Sequence, residues 1–283
     1  MSKFFDETQR ARQWAPQVPE TGRLDVASVI EAIKLTETVV TDSAEAVLSG
    51  RTEAETEKPA RGPIKTLASD NPMPAPAMEA YGSLRTRVMK LKASKGIRSL
   101  MLTSSVSAEG KTLTSRNLAL SCAKLHNLRI LLVDADLRSR GLTRLLKVPE
   151  GPGLSDLLGS KVTVEKAVLP TEHENLFVLG AGSLNAQPSE LFASPRWSEY
   201  MAWASQSYGI VIVDAPPIHS LSDAELISAG CDGVLMVVKA LSTPRDIAQK
   251  CTSRLDKRKL IGIVFNGLPS SPESDYGYYG VSA

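Results

Sequence analysis

Short apolar runs alternate with helical stretches through the last two thirds of the chain. Most runs are rich in Val, Ile and Leu without polar alternation, which is typical of strands covered by helices on both faces. The predicted strands span residues 98–103, 128–133, 175–179, 209–213, 234–238 and 261–265. The predicted helices between them span residues 111–125, 189–205, 222–229 and 243–255. This order predicts an α/β fold with a doubly wound, mostly parallel sheet.

A further helix is predicted ahead of the first strand. Its apolar side chains fall at helical spacing and define one face; they are Tyr81, Leu84, Val88 and Leu91. We expect this helix to begin the folded domain, which spans residues 77–268.

The first 76 residues differ from this domain in composition. They contain few aromatic side chains and many polar ones, and they end in a proline-rich stretch at residues 71–76. This composition predicts a largely disordered segment. Apolar residues recur periodically within residues 25–48, which indicates a short helix there. The segment is either a solvated tail or a docking segment.

The net charge gives no reason to expect nucleic acid as the main partner. The formal net charge is +2, with −3 in residues 1–75 and +5 in the remainder. This bias is too weak to attract a polyanion over a large surface.

The cysteines and the N-terminus predict a cytoplasmic protein. Cys122, Cys231 and Cys251 show no zinc-ligand spacing and are expected to be small core residues in a reducing compartment. No apolar run approaches the ~20 residues that span a bilayer. Asp6 and Glu7 lie where a signal peptide would be basic and then apolar. We therefore expect any contact with the inner face of the membrane to come through a partner.

Residues 103–112, Thr-Ser-Ser-Val-Ser-Ala-Glu-Gly-Lys-Thr, have the context of a phosphate-binding P-loop. They follow a predicted strand and begin a predicted helix, where backbone N–H groups bind phosphate oxygens. Lys111 is expected to meet the β- and γ-phosphates, and the Thr112 hydroxyl is a ligand for Mg²⁺. Ser105 replaces the first glycine of the usual P-loop pattern. The predicted nucleotide contacts in this loop are Ser107, Ala108, Glu109, Gly110, Lys111, Thr112 and Leu113.

Carboxylates follow two of the predicted strands. Asp134 and Asp136 end the run at residues 130–136, and Asp214 ends the run at residues 210–214. The carboxyl ends of parallel strands line the ligand crevice of an open α/β sheet. Three carboxylates there need positive charge nearby, which Mg²⁺ and a lysine supply.

These motifs resemble those of the BY-kinases, the bacterial tyrosine kinases of capsule and exopolysaccharide synthesis. That family is related to the MinD/ParA ATPases, and the resemblance covers roughly residues 77–283. It includes the P-loop, a second Walker A element at residues 134–138 (Asp-Ala-Asp-Leu-Arg) and a Walker B element at residues 214–217 (Asp-Ala-Pro-Pro). Supporting motifs lie at residues 79–86, 153–158 and 187–191.

The resemblance implies ATP and Mg²⁺ as cofactors, with catalytic roles for Lys111, Asp134 and Asp136. Lys111 holds phosphates, while Asp134 accepts the proton of the tyrosine hydroxyl. Thr112, Asp136 and Asp214 would support the metal.

One residue at the far end of the domain has two interpretations. By resemblance, Asn266 contacts the adenine. Its position after the last predicted strand equally fits a turn residue.

The resemblance also implies that the tail at residues 269–283 carries the phosphoacceptors. Tyr276, Tyr278 and Tyr279 lie within the last eight residues. Glycines and serines surround them, which predicts a flexible segment able to enter an active site.

The resemblance implies an ATP-dependent tyrosine autokinase that regulates exopolysaccharide polymerisation and export. Expected partners are a separate membrane-bound activator of the polysaccharide co-polymerase type, a cognate tyrosine phosphatase and other copies of the chain. The alternative is a non-kinase ATPase of the MinD/ParA type or a nucleotide-dependent scaffold. Val106 replaces the lysine found early in the MinD/ParA P-loop, which favours the kinase. Gly82 replaces an arginine of a helix motif linked to ring assembly, so a ring is not assured.

Overall fold

The computed structural model of the chain describes residue 64 and residues 74–183, 187–219 and 223–268. The possible helix at residues 25–48 and the tail at residues 269–283 lie outside this part of the chain.

Seven strands in the described part form one sheet in the order β3-β4-β2-β5-β1-β6-β7. They are β1 (Ser99–Ser104), β2 (Ile130–Asp134), β3 (Val168–Pro170), β4 (Leu176–Leu179), β5 (Ile210–Asp214), β6 (Gly233–Lys239) and β7 (Leu260–Asn266). All neighbouring strands are parallel except β3, which runs antiparallel to β4 at one edge. The predicted doubly wound, mostly parallel sheet is therefore confirmed.

The sheet is the middle layer between two apolar clusters. Successive side chains of a strand point to opposite faces. Leu100 of β1 accordingly joins one cluster and Met101 the other. The central strands β1, β2 and β5 are buried along their whole length. This explains why their sequences are continuous apolar runs.

Nine helices lie in the described part of the chain. They are α1 (Ala75–Lys95), α2 (Lys111–Ala123), α3 (Gly141–Leu145), α4 (Leu154–Leu158), α5 (Val164–Ala167), α6 (Pro188–Ala193), α7 (Pro195–Ser207), α8 (Asp223–Ala229) and α9 (Arg245–Ser253).

Helices cover both faces of the sheet. Val88 of α1 and Leu118 of α2 belong to the cluster that contains Leu100. Trp197 of α7 and Cys251 of α9 belong to the cluster that contains Met101. The three cysteines are buried and free, as predicted.

Two parts of the predicted layout are wrong. The helix predicted over residues 189–205 is two helices, because the chain is extended at Ser194, the residue before Pro195. Strand β3 was not predicted, because it has three residues, includes Pro170 and occupies an edge.

Strand register brings the predicted site residues together at the carboxyl ends of the parallel strands. Asp214 of β5 is paired with Asp134 of β2 on one side and with Leu102 of β1 on the other. The loop after β1 therefore leaves the sheet beside both carboxylates. Among the described helices, none is both long and apolar enough to cross a membrane.

Candidate active site

The P-loop connects the end of β1 to the start of α2 and passes close to the end of β7. Gly110 has a φ of +92°, and a Cβ atom there would lie 1.9 Å from Nδ2 of Asn266. Both the backbone conformation and the close approach therefore require glycine. Asn266 Nδ2 donates to the carbonyl of Glu109 at 3.0 Å, so Asn266 lies against the P-loop.

Lys111 lies among carboxylates at the first turn of α2. Its Nζ lies 3.0 Å from Oδ2 of Asp136 and 3.7 Å from Oδ1 of Asp214. Burial alone would lower the pKa of Lys111, but the charges of Asp214 and Asp136 outweigh it and raise that pKa. The ammonium group is therefore charged and held inside the site.

Asp214 accepts hydrogen bonds from the helix that follows the P-loop. Thr112 Oγ1 donates to its Oδ2 at 2.8 Å, and Ser115 Oγ lies 3.2 Å from its Oδ1. Burial raises the pKa of Asp214, although Lys111 and Thr112 oppose that rise. Ser115 was missed in the sequence, although it lies four residues after Lys111 on the same helix face.

Asp136 is the more strongly ionised carboxylate of the second Walker A element. Burial would raise its pKa, but Lys111 and the hydrogen bonds of Ser139 hold the pKa of Asp136 below its usual range. The backbone N–H of Ser139 donates to Oδ1 at 3.0 Å. A Cβ on Gly141 would lie 3.2 Å from Thr112 Oγ1, so this loop closes over the threonine.

Asp134 is fully buried and only one of its oxygens is hydrogen-bonded. The backbone N–H and the hydroxyl of Thr143 each donate to Oδ2 at 2.7 Å. Oδ1 has no hydrogen-bond partner among the described residues. Burial, with a contribution from the charge of Asp214, raises the pKa of Asp134 to about 7. A carboxyl group with this pKa exchanges a proton readily near neutral pH.

Thr143 had no recognisable pattern in the sequence. It comes from the short helix α3, and its hydroxyl also accepts a hydrogen bond from the N–H of Ala181 at 2.9 Å. Only the tertiary structure brings this threonine to Asp134.

The remaining P-loop residues divide between surface and interior. Ser107, Ala108 and Leu113 are exposed beside the site. Glu109 is 1% exposed, and its carboxylate bonds to protein groups instead of facing outward. The predicted phosphoacceptors, Tyr276, Tyr278 and Tyr279, lie outside the described residues.

The charges of this cluster fit a cation that arrives with a nucleotide. Three buried carboxylates, those of Asp134, Asp136 and Asp214, face one lysine. Among the described residues, no group of three or more His, Cys, Asp or Glu side chains is arranged to hold a metal ion. A protein-only cage is not expected for Mg²⁺, which uses one or two protein ligands together with phosphate oxygens and waters. The Thr112 hydroxyl and the adjacent carboxylates match that donor set.

Comparisons with known proteins identify kinases of one family. No family model matches the chain. The chain is 34% identical over 205 residues to the tyrosine-protein kinase YwqD of Bacillus subtilis, covering 71% of this chain and 86% of YwqD. It is 31% identical over 203 residues to the putative tyrosine-protein kinase CapB of Staphylococcus aureus, covering 71% of this chain and 89% of CapB. The tyrosine-protein kinase Wzc of Salmonella typhi is 34% identical over 218 residues, which are 75% of this chain and 30% of Wzc.

Solved structures agree with these relatives. The kinase domain of the Escherichia coli tyrosine kinase Etk superposes with a TM-score of 0.68 at 28% identity, covering 81% of this chain and 88% of that domain. The chimeric protein CapA2B2 gives a TM-score of 0.66 at 29% identity, covering 74% of this chain and 93% of the chimera. MinD from Pyrococcus horikoshii shares the fold, with a TM-score of 0.52 at 22% identity over 62% of this chain and 75% of MinD. Because its YwqD and CapB relatives are matched over most of their length at more than 30% identity, the chain belongs to the BY-kinases, the bacterial P-loop tyrosine-protein kinases.

Proposed function

We propose that this chain is an ATP-dependent protein-tyrosine autokinase that regulates exopolysaccharide or capsule polymerisation and export. The observation that carries the proposal is the convergence of a P-loop lysine with three buried strand-end carboxylates, in a member of the BY-kinases. The kinase is favoured over the MinD/ParA-type ATPase because MinD shares only the fold at 22% identity.

In this proposal Lys111 and Thr112 bind the phosphates of ATP. Lys111 Nζ now contacts Asp136 and lies 3.3 Å from Thr112 Oγ1. Phosphate oxygens would compete for this ammonium group, which stays charged in its acidic surroundings. The exposed part of the loop would supply backbone N–H donors. Asn266, which lies against the P-loop, is the proposed contact for the adenine.

Mg²⁺ would be held by Thr112, Asp136 and Asp214 together with the phosphates of ATP. When bound, it neutralises charge on the transferred phosphoryl group. Thr112 Oγ1 and Asp214 Oδ2 are 2.8 Å apart, so the two groups would hold the same ion.

Asp134 is the proposed base. The acceptor tyrosine loses its hydroxyl proton to the carboxylate, and Oδ1 is the oxygen that no protein donor occupies among the described residues. The tyrosyl oxygen forms a bond to the γ-phosphorus as the bond from phosphorus to the β–γ bridging oxygen breaks, and ADP leaves. In this proposal Thr143 keeps Oδ2 occupied, which would leave Oδ1 as the oxygen that accepts the proton.

The acceptors and partners belong to the same proposal. The tyrosines of the tail are the proposed phosphoacceptors in the same or a neighbouring copy of the chain. A membrane-bound activator of the co-polymerase type would recruit the protein to the inner face of the membrane, and a cognate tyrosine phosphatase would reverse the reaction.

Mass spectrometry of the C-terminal peptide tests the proposed function. The purified chain is incubated with Mg-ATP, with and without the cytoplasmic segment of the candidate activator, and EDTA serves as the control. Phosphotyrosine that requires Mg-ATP supports the kinase. ATP hydrolysis without phosphotyrosine in either condition would instead support the non-kinase ATPase.

A further inference from the structure

Glu109 is a buried carboxylate inside the P-loop that has no part in the proposed phosphotransfer. It is 1% exposed, and no Lys, Arg or His nitrogen in the described part of the chain forms an ion pair with it. A buried anion without a counter-charge needs several hydrogen-bond donors. Such a group requires a structural or functional reason.

Three donors from two parts of the chain satisfy this carboxylate. Oε2 accepts the backbone N–H of Val106 at 2.9 Å. Oε1 accepts the N–H of Lys239 at 3.3 Å and a hydrogen bond from the hydroxyl of Thr243. Lys239 ends β6, and Thr243 lies just before α9. The Glu109 side chain therefore links two positions of the P-loop by a hydrogen bond. It also joins the loop to the connection between β6 and α9.

The P-loop backbone depends on support from outside. Ala108 has a φ of +64°, a left-handed conformation that costs energy for a residue with a Cβ. Ser105 replaces the usual glycine, and its carbonyl lies 3.6 Å from Sγ of Cys251 on α9. Asn266 adds a hydrogen bond to the carbonyl of Glu109 at 3.0 Å. Contacts from α9, from the end of β7 and from the connection between β6 and α9 thus hold the loop at several points.

We propose that Glu109 and Thr243 are positioning residues for nucleotide binding. Their hydrogen bond holds the P-loop in the conformation that presents its N–H groups and Lys111 to phosphate. The inference rests on the proposed function, because it assumes that this loop binds ATP. Losing the bond lowers the fraction of protein with a competent loop, and the apparent affinity falls by that fraction. Once nucleotide is bound the loop is in place, so the maximal rate of phosphotransfer is retained.

The test compares two substitutions at one position. Thr243→Val keeps the shape but removes the hydroxyl, whereas Thr243→Ser keeps the hydroxyl. A hydrogen bond to a buried charge corresponds to roughly ten-fold or more in an equilibrium. We expect Thr243→Val to bind Mg-ADP about ten-fold more weakly in calorimetric titrations, with Thr243→Ser restoring affinity to within about two-fold of wild type. The maximal phosphorylation rate at saturating Mg-ATP should not change in either variant.

Thr252→Val is the matched control for this experiment. The hydroxyl of Thr252 donates within α9 to the carbonyl of Gln249 at 2.9 Å, so the same chemical change is made away from the P-loop. It should leave Mg-ADP affinity within about two-fold of wild type. Equal loss in the Thr252 and Thr243 variants would contradict the inference.

Four other results would contradict the inference or the proposed function. Wild-type affinity in a folded Thr243→Val protein overturns the positioning role, as does a lower maximal rate with unchanged affinity. If Thr243→Val does not fold, Glu109→Gln replaces it in the test. The amide nitrogen of the glutamine must face the N–H of Val106 or of Lys239, so one hydrogen bond is lost. Unchanged affinity of Glu109→Gln for Mg-ADP also overturns the inference. A wild-type protein that fails to bind Mg-ADP contradicts the proposed function itself.

Discussion

At the residue scale, Thr143 makes the two carboxylate oxygens of Asp134 different from each other. Thr143 gives both of its donors to Oδ2, which leaves Oδ1 without a hydrogen-bond partner among the described residues. These two bonds favour the ionised carboxylate, while burial and Asp214 favour the protonated one. The balance puts the pKa of Asp134 at about 7, close to the pH at which a general base is most effective.

We predict that Asp134→Asn reduces phosphotransfer far more than nucleotide binding. Loss of a base lowers the rate on the order of 10²–10⁴-fold. Lys111, Thr112 and Asp214 would still hold Mg-ATP. Rates at saturating Mg-ATP and calorimetric affinities for Mg-ADP separate the two effects. A variant that kept its maximal rate but lost affinity would make Asp134 a binding residue.

The same substitution has a predicted effect on stability that depends on pH. The pKa of Asp134 is about 7 in the folded protein, whereas an unfolded chain has a value near 4. The folded state therefore keeps a proton that the unfolded state loses, so the contribution of this group to stability falls as the pH rises from about 4 through 7. Asp134→Asn cannot ionise and escapes this loss.

Melting temperatures of the nucleotide-free proteins test this linkage. We expect Asp134→Asn to melt several degrees above wild type at pH 8, where wild-type Asp134 must ionise in the interior. The difference should shrink at pH 5, where the wild-type carboxyl is protonated. A difference that does not change with pH would show that Asp134 is ionised throughout.

At the scale of elements, the sequence predicted the features that depend on a single strand or helix. Continuous apolar runs located the six parallel strands, because burial on both faces demands them. The P-loop lysine and the aspartates at the ends of β2 and β5 were also predictable from their place after strands. Thr143 and Thr243 were not, because their roles come from contacts between elements distant in sequence. The break between α6 and α7 at Pro195 was not predicted, because the polar and apolar residues on both sides of it suit one continuous helix.

Gly153, before the short helix α4, provides a test of packing between elements. A Cβ there would lie 2.4 Å from the backbone oxygen of Gly180 and 2.4 Å from the backbone nitrogen of Gly182. Backbone atoms cannot move aside cheaply, so Gly153→Ala should destabilise the fold by about 1–3 kcal/mol.

Gly82 of α1 is the matched control, since a Cβ there meets nothing within 4 Å. Gly82→Ala should leave stability unchanged or raise it by up to ~1 kcal/mol, because alanine is the better helix former. Urea unfolding of both variants gives the comparison. Equal stability of the two alanine variants would mean that α4 does not pack as described.

At the scale of the whole molecule, the sheet places the P-loop beside the strand from which the tail continues. Asn266 ends β7 and bonds to the P-loop, and the tyrosine-containing tail begins three residues later. The route from the last strand to the proposed acceptors is therefore short in sequence. Each phosphate on the tail adds roughly −1.5 to −2 charge at neutral pH. Several together would repel the carboxylates of the site and favour release of the tail.

We predict that changing Tyr276, Tyr278 and Tyr279 together to Phe removes most of the phosphotyrosine formed under activating conditions. The affinity for Mg-ADP should stay at the wild-type level, because the phosphate site is intact in this variant. Mass spectrometry after incubation with Mg-ATP measures the first quantity, and calorimetry the second. Phosphotyrosine that persists at the wild-type level would place the acceptors elsewhere. It would also contradict the idea that phosphorylation releases the tail from the site.

The most direct test of a P-loop tyrosine kinase is the transfer of phosphate from Mg-ATP to tyrosine by wild-type protein and by Lys111→Met. Lys111 is the one lysine bonded to the buried carboxylates of the described site, and its ammonium group is the proposed partner of the β- and γ-phosphates. The account predicts phosphotyrosine in the wild type and none in Lys111→Met, with circular dichroism spectra that show both proteins folded. Full phosphotransfer by a folded Lys111→Met protein would contradict it.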